Sequence, residues 1–222
     1  TVLFGGVYYD NSNYVYHYFE DTWEWDGTTW TQRIGAGPSP RLDHAMAYDS
    51  ARGETVLFGG WNDDDYFGDT WAWDGESWTF KSDSGPPPRF LTAMPYDSAR
   101  GVTVLFGGWG DSFGPLRDTW EWDGTTWAER NVFEPGGSGG HAMAYDSHRG
   151  VTVMFGGNTL GPTDGPLPLD DTFEWNGFSW TIRFSSGPLP STFMAMAYDS
   201  LREATVLFTR GWYPDPLGET WE

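Results

Sequence analysis

The side chains of this sequence that could take part in recognition or chemistry are aromatic rings and carboxylates, gathered in a few segments that do not repeat along the chain. Exposed rings beside carboxylates can bind a basic peptide, and they can also stack against sugar rings. We therefore predict a binding surface made from these segments. Its candidate residues are Trp61, Asp63, Asp64, Asp65, Tyr66, Trp109, Asp111, Trp212 and Tyr213, and the same segments add Tyr8, Tyr9, Asp10, Phe67, Asp164 and Asp215.

Metal and catalytic chemistry find little support in the sequence. Cysteine is absent, which excludes zinc–thiolate sites, disulfides and cysteine nucleophiles. The acidic run 63–65 before Gly68 is similar to a calcium loop, but EF-hand spacing would put Phe67 where calcium needs an oxygen ligand. We predict a solvated acidic loop there, with calcium as the alternative, and no cofactor. The histidines form no Ser/His/Asp arrangement, and His44 and His141 are predicted to be packing residues and not metal ligands.

The charge balance and the composition exclude several classes of protein. Lys and Arg number 12 against 32 Asp and Glu, which gives a net charge of −20. This charge argues against nucleic acids and anionic membranes as partners. Aromatic residues make up 18% of the chain, which is too many for a disordered acidic tail. No apolar run is long enough for a spanning helix, so we predict no membrane insertion.

The chain is built from five copies of one pattern. The heptad Asp-Thr-Trp-Glu-Trp-Asp-Gly at 21–27 recurs with small changes at 69–75, 118–124 and 171–177, and a fifth copy starts at Glu219. Two further blocks, Thr-Val-Leu-Phe-Gly-Gly and Ala-Met-Ala-Tyr-Asp-Ser, recur in step with it. A period near 50 residues is typical of repeat proteins such as propellers.

Each block is predicted to form a β-strand. Short runs rich in Val, Phe, Tyr, Trp and Thr, bounded by Gly, Asp and Ser, indicate strands, and no apolar set at helical spacing competes with them. The dipeptide Asp-Gly at 26–27 and its copies indicate hairpins closed by type I′ turns, with positive φ at both central residues. One repeat is therefore four antiparallel strands. Such a sheet cannot bury both faces alone, but sheets packed radially around one axis can.

These blocks resemble the repeats of the kelch family of β-propellers. A diglycine ends the second strand (59–60), an aromatic residue closes the third (Trp73), a tryptophan follows in the fourth (Trp78), and a Pro-Arg pair precedes the first (40–41). The resemblance covers nearly the whole chain and departs from the pattern where Arg210 interrupts the last diglycine. It implies an all-β fold of four-stranded antiparallel blades whose variable loops open on one face.

We predict a single domain, 1–222, with three complete and two partial blades. The first copy begins at its second strand and the last copy ends in its third, so each outer blade has three strands. Since neither a four-bladed nor a five-bladed ring closes neatly with these strands, we expect a segment of a larger propeller of about six or seven blades. A compact five-bladed ring with two incomplete sheets is the alternative. The blade parts are 1–33, 44–81, 92–130, 141–184 and 194–222.

Residues that repeat once per blade are predicted to be structural, and function is assigned to the variable segments. The acids that begin each heptad, such as Asp69 and Asp118, are expected to bind backbone N–H groups of turns. The turn arginines, expected to pair with nearby carboxylates, are Arg52, Arg100, Arg149 and Arg202. The variable segments are 7–20, 61–68, 109–117, 158–170 and 212–218 after the second strands, and 34–43, 82–91, 131–140 and 184–193 before the first strands.

We predict a non-catalytic binding module whose loop face recognises a protein, and the acids favour a basic partner. A carbohydrate-binding, lectin-like propeller is the alternative. A polysaccharide-acting enzyme domain is a third hypothesis, for which the sequence shows no cluster of titratable groups near a central channel. The scarcity of lysine and the excess of acids resemble secreted or surface kelch-like proteins of bacteria, so an extracellular or cell-surface location is predicted.

Overall fold

Antiparallel β-strands make up the regular secondary structure of this protein. The computed structural model describes residues 1–111, 114–132, 135–160, 165–183, 187–191, 194–209 and 218–222. Within these ranges there is no helix, and so none long and apolar enough to cross a membrane. The strands form five small sheets arranged as the blades of a β-propeller, which confirms the predicted fold class.

Blades 2, 3 and 4 have four strands each and blades 1 and 5 have three, as predicted. Blade 1 contains β1 (Val2–Asp10), β2 (Val15–Trp25) and β3 (Trp30–Arg33). Blade 2 contains β4 (Ala45–Asp49), β5 (Glu54–Phe58), β6 (Thr70–Trp73) and β7 (Trp78–Ser82). Blade 3 contains β8 (Tyr96–Asp97), β9 (Val102–Phe106), β10 (Thr119–Trp122) and β11 (Trp127–Arg130). Blade 4 contains β12 (Ala142–Asp146), β13 (Val151–Phe155), β16 (Thr172–Trp175) and β17 (Trp180–Arg183), and blade 5 contains β18 (Met194–Asp199), β19 (Ala204–Thr209) and β20 (Glu219–Trp221).

The innermost strands of blades 2 to 5 line a central cavity of about 770 Å³. Three of these strands, β4, β12 and β18, carry mostly alanines and methionines, whereas β8 contains only Tyr96 and Asp97. The innermost strand of blade 3, β8, is shorter than β4, β12 and β18. Pro95 has no N–H for the ladder, so pairing is reduced to Tyr96–Asp97 and one separate bridge from Ala93 to Phe106.

Two segments predicted as loops contain strands. In blade 1, β1 and β2 continue pairing beyond the diglycine as far as Asp10 and Val15, so that only 11–14 forms the turn. In blade 4, the segment 158–170 contains the two-stranded hairpin β14 (Asn158–Leu160) and β15 (Pro166–Pro168). In blade 1 the valines and aromatic residues of 7–9 and 15–19 favour extended structure.

The connection between third and fourth strands is not the predicted two-residue type I′ turn. It contains four residues, 26–29, and only Gly27 has a positive φ, 105°. The Asp26 carboxylate accepts the backbone N–H groups of Thr28 and Thr29 at 2.8 and 2.9 Å, which forms an Asx turn and lowers the pKa of Asp26. The same turn recurs at Asp74, Asp123 and Asn176.

The diglycine is required because the next blade approaches it closely. Gly59 and Gly60 have φ values of 73° and 96°, in the left-handed region. A Cβ on Gly59 would lie 2.5 Å from the carbonyl oxygen of Arg89, and a Cβ on Gly60 would lie 2.8 Å from that of Leu42. The N–H of Gly60 donates to the Arg89 carbonyl at 2.8 Å. Only glycine satisfies both the backbone conformation and the contact.

Neighbouring blades are joined by shared hydrophobic clusters and by tryptophans. One cluster between blades 2 and 3 contains Phe58, Leu105 and Trp122, and equivalent clusters join the other neighbours. A fourth-strand tryptophan donates its indole N–H to a third-strand threonine of the preceding blade, in the pairs Trp78–Thr22, Trp127–Thr70 and Trp180–Thr119, at 2.8 to 2.9 Å. Within blades, indole rings pair at centroid distances of 5.4 to 5.6 Å, in Trp25–Trp30, Trp73–Trp78, Trp122–Trp127 and Trp175–Trp180.

The heptad acids of blades 2 and 3 bind side chains rather than the predicted turn N–H groups. The fully buried Arg89 donates to both carboxylate oxygens of Asp118, at 2.6 and 2.7 Å, and to the Gly107 carbonyl at 3.0 Å. The Trp120 indole N–H donates to the same carboxylate at 2.6 Å. Burial acts to raise the pKa of Asp118, but the guanidinium outweighs it and holds this pKa below its usual range. Blade 2 repeats the arrangement with Arg41, Gly59, Asp69 and Trp71.

The turn arginines pair with carboxylates, as predicted. Arg100 binds Asp97 at 2.6 Å and Glu121 at 2.5 Å. Through these bonds the turn between first and second strands is tied to the third strand. The other pairs are Arg52–Asp49, Arg149–Asp146, Arg149–Glu174, Arg202–Asp199 and Arg202–Glu222.

The two histidines that share a repeat position pack against phenylalanines, as predicted. The ring of His44 lies 5.6 Å from that of Phe4, and the ring of His141 lies 5.5 Å from that of Phe106. His141 is 6% exposed, and burial lowers its pKa to about 4. Its imidazole is therefore neutral at physiological pH.

Candidate functional site

The variable segments of blades 2, 3 and 4 lie together at one end of the sheets. In each blade the segment before the innermost strand pairs with the segment after the second strand, in the bridges Leu42–Trp61, Phe90–Trp109 and Gly139–Asn158. The Leu91 N–H donates to the Asp43 carbonyl and the Gly140 N–H to the Leu91 carbonyl, at 2.9 and 2.8 Å, so the blades are also joined here. For these three blades the predicted common loop face is confirmed.

The β1–β2 hairpin extends blade 1 at this face. Side chains alternate along a strand, so Tyr9, Tyr16 and Tyr18 share one side of the hairpin, whereas Tyr8 and His17 share the other. The rings of Tyr8 and His17 stack on that other side, with centroids 6.2 Å apart. The hairpin therefore presents aromatic rings on both sides.

Aromatic rings from blades 1, 2 and 3 form one continuous row, which we call the aromatic strip. On the hairpin, ring centroids are 4.7 Å apart for Tyr9 and Tyr16 and 6.4 Å apart for Tyr16 and Tyr18. Tyr18 then lies 6.4 Å from Trp61 of blade 2. Trp61 continues the row to Tyr66 at 6.3 Å and to Phe90 at 5.6 Å. The strip consists of Tyr9, Tyr16, Tyr18, Trp61, Tyr66 and Phe90.

Two carboxylates hold rings of the strip in place. Asp63 accepts the hydroxyl of Tyr18 at 2.5 Å. Burial, and then this carboxylate, raise the pKa of Tyr18 to about 12, so the hydroxyl remains a donor. Asp43 accepts the indole N–H of Trp61 at 3.1 Å, and burial raises the pKa of Asp43. Both rings are therefore oriented before any ligand arrives.

Exposed side chains and acids complete the edge of the strip. Tyr66 is 45% exposed and Tyr16 is 52% exposed. Asp64 and Asp65 are exposed beside Tyr66, and their backbone N–H groups donate to the amide oxygen of Asn62 at 3.0 and 2.9 Å. The turn is thus fixed, and its two carboxylates remain available to a partner.

The structure places the predicted site residues in two groups. Those of blade 2, namely Trp61, Asp63, Asp64, Asp65 and Tyr66, form one site with the hairpin of blade 1. The indole of Trp109 instead packs on blade 4, where a Cβ on Gly139 would lie 2.2 Å from it, and Asp111 is exposed in the next loop. Trp212, Tyr213, Asp164 and Asp215 lie outside the described residues.

The sequence analysis missed four members of the site. Tyr16 and Tyr18 belong to a segment predicted as a loop, although the β-branched and aromatic residues of Val-Tyr-His-Tyr at 15–18 favour a strand. Phe90 and Asp43 sit next to the repeated Pro-Arg pairs and were assigned to connections. Their role depends on contacts between blades, which local patterns do not report.

Neither a metal-binding cluster nor a carboxylate on the wall of the central cavity is present in the described parts of the chain. In those parts no group of three or more His, Cys, Asp or Glu side chains is placed to hold a metal ion, so the acids at 63–65 do not converge. The described walls of the central cavity carry no carboxylate. The cavity wall includes Tyr145, where burial and then Asp97 raise the pKa to about 12. This tyrosine is therefore neutral at physiological pH.

The radial arrangement of blades defines the class of protein as a β-propeller. No family model matches the sequence, and no curated protein matches it. Among solved structures, that of YjhT is similar, with 13% sequence identity and a TM-score of 0.76 over 99% of this chain and 76% of YjhT. At this identity the similarity shows the fold alone.

Proposed function

We propose that this protein is a kelch-type β-propeller and a non-catalytic binding module that recognises a basic protein segment through the aromatic strip. The observation that carries the proposal is the continuity of rings across three blades, with exposed acids along the edge. The diglycines support the kelch assignment, since they adopt left-handed conformations where the next blade approaches. We keep the extracellular or cell-surface location as part of this proposal.

The physical basis of the proposed recognition is a rigid aromatic anchor with an acidic rim. Tyr18 and Trp61 are already held by Asp63 and Asp43, so their ordering costs little free energy on binding. Aromatic residues in such positions commonly dominate binding energy. The net charge of −20 attracts a basic partner over a distance and speeds association, an effect that salt weakens.

A glycan is the second candidate ligand, and the geometry of three rings favours it. The planes of Trp61 and Tyr66 are inclined by 24°, and those of Tyr66 and Phe90 by 26°. The exposed ring of Tyr66 belongs to this stacked group and could pack against a sugar ring, and Asp64 or Asp65 could accept hydrogen bonds from the sugar's hydroxyl groups. The peptide and the glycan hypotheses therefore involve the same residues, and they must be distinguished by measuring the binding of each ligand.

Binding to a basic peptide library and to a glycan array, each at low and high salt, tests the proposal. We expect basic peptides to bind. Tyr66→Ala should weaken their binding at least tenfold, which is about 1.4 kcal/mol. The pair Asp64→Asn and Asp65→Asn should slow association and reduce its salt dependence. Phe178→Ala is the matched control, because this 82% exposed ring lies in a turn at the other end of the sheets.

Each outcome has a defined meaning. Binding to glycans alone, lost in Tyr66→Ala, would replace the peptide by the second candidate. Undiminished binding of either ligand by Tyr66→Ala would show that the strip is not the site.

A further inference from the structure

In blades 2 and 3 a buried arginine occupies the space between the diglycine and the heptad aspartate. Arg89 donates to the carbonyl of Gly107, 18 residues further on, and to both oxygens of Asp118. The indole of Trp120 supplies a third donor to that carboxylate. Arg41 has the same bonds in blade 2, and both arginines are 0% exposed.

Blade 4 keeps the aspartate but has lost both of its donors. Ser138 takes the place of Arg89: its Oγ donates to the carbonyl of Gly156, also 18 residues further on, at 3.1 Å. The carbonyl of Ser138 accepts the backbone N–H of Gly108, the second glycine of the preceding blade's diglycine, at 2.8 Å. The carbonyl of Arg89 accepts the N–H of Gly60 in the same way, also at 2.8 Å. Phe173 stands where blade 3 has its tryptophan, so no indole N–H is available. Among the described residues, no donor reaches the carboxylate of Asp171.

A cavity lies where the arginine side chain would be. Its volume is about 100 Å³, and Ser138, Gly156, Leu169, Asp171 and Phe173 are among its walls. Asp171 is half-buried, and Ser138 is 1% exposed. The β14–β15 hairpin, which has no counterpart in blades 2 and 3, adds Thr159 to the wall. The carboxylate of Asp171 thus borders a small space in blade 4. In blades 2 and 3 the equivalent space is filled by the planar guanidinium group of an arginine.

We propose that this cavity of blade 4 binds a guanidinium group supplied by another molecule, either a small guanidinium compound or an arginine side chain of a partner. The guanidinium takes the place that Arg41 and Arg89 fill in their own blades. Its N–H groups donate to both oxygens of Asp171 in the forked geometry that a carboxylate accepts best. An ammonium group is a point donor and satisfies the site less well.

The test uses methylguanidinium chloride as the probe and methylammonium chloride as its matched cation, followed by NMR chemical shifts of the whole chain. We expect saturable shifts around Phe173 with methylguanidinium and at least tenfold weaker binding of methylammonium. Asp171→Asn should weaken the binding of methylguanidinium at least tenfold without changing the shape of the site. Ser138→Arg should abolish its binding and raise the melting temperature, because it restores the arrangement of blades 2 and 3. Asp170→Asn is the control, since this exposed neighbour does not border the cavity.

Two further measurements identify the source of the guanidinium group and distinguish this cavity from the aromatic strip. If a Gly-Arg-Gly peptide binds at least tenfold more tightly than methylguanidinium, the source is a side chain of a partner; equal affinity indicates a small molecule. Tyr66→Ala should leave this binding unchanged, so failure of the aromatic strip and failure of this cavity are distinguishable. Absence of saturable methylguanidinium binding, or equal binding by Asp171→Asn, would overturn the assignment.

Discussion

At the scale of single residues, the most demanding arrangement is the buried guanidinium of blades 2 and 3. Arg89 is 0% exposed and the side chain of Asp118 is 22% exposed, so neither charge is fully hydrated. Breaking a buried pair leaves one desolvated charge and costs about 3–5 kcal/mol, whereas an exposed pair contributes about 0–1 kcal/mol. The cost of removing an arginine should therefore depend on its burial.

The substitution Arg89→Ser copies into blade 3 the residue found in blade 4. We expect it to lower the free energy of unfolding in urea by about 3 kcal/mol, because Asp118 loses its main partner. Arg33→Ser is the comparison, since the side chain of Arg33 is 44% exposed in its pair with Glu24 and should contribute less than about 1 kcal/mol. Equal losses in the two variants would contradict the role assigned to burial.

A second residue, His141, should make stability depend on pH. Burial lowers its pKa from 6.5 to about 4, so between these values the unfolded chain binds the proton more readily than the folded one. Stability from this residue is complete above pH 6.5 and falls as the pH falls toward 4, by up to about 1.4 kcal/mol per pH unit.

His141→Thr provides the measurement, because threonine is the residue at the same position of blade 3, Thr92. Urea unfolding of both proteins between pH 7 and pH 5, above the range where most carboxylates titrate, should show a shallower pH dependence for the variant. Parallel curves would mean that the imidazole is not buried in its neutral form.

At the scale of elements, the diglycine allows the free-energy cost of backbone strain to be separated from the cost of a steric clash with the next blade. Gly59 and Gly53 have nearly the same φ, 73° and 72°. A Cβ on Gly53 would meet nothing within 4 Å, whereas one on Gly59 would lie 2.5 Å from the Arg89 carbonyl. Gly53→Ala therefore measures backbone strain alone, which is about 1–2 kcal/mol. Gly59→Ala adds the collision with the next blade.

We expect Gly59→Ala to lower the free energy of unfolding by at least about 2 kcal/mol more than Gly53→Ala does. Thermal and urea unfolding of the two variants, side by side, provide the comparison. Equal losses would show that the neighbouring blade can move away from the diglycine at little cost.

The elements also show how far the sequence could be read. The blades were predictable because strand propensity, turn residues and the repeat all indicate the same structure. The Arg41–Asp69 and Arg89–Asp118 pairs were not, because 28 and 29 residues separate the partners and only packing brings them together. For the same reason the acids were assigned turn N–H partners. Of the candidate site, Trp61, Tyr66 and the acids 63–65 were predictable because they lie in a segment that does not repeat.

At the scale of the whole molecule, the net charge of −20 should affect stability as well as the proposed binding of a basic partner. Self-repulsion of like charges opposes the compact state, and dissolved ions screen it. We expect the melting temperature to rise when NaCl is raised from about 20 to about 300 mM, over which the Debye length falls well below the size of the protein. Sucrose at equal osmolarity is the control, and a fall in melting temperature with NaCl would show that the ion pairs outweigh the net charge.

The indole pairs within blades 1 to 4 give this protein an internal set of optical reporters. In blades 1 to 4 two indole rings lie 5.4 to 5.6 Å apart at inclinations of 39° to 48°, which is close enough and oblique enough for their electronic transitions to couple. Coupled chromophores of this kind produce paired circular-dichroism bands of opposite sign. Replacing one indole of a pair by phenylalanine removes the paired circular-dichroism bands of that blade alone. The loss of order on unfolding can therefore be followed blade by blade without any added dye.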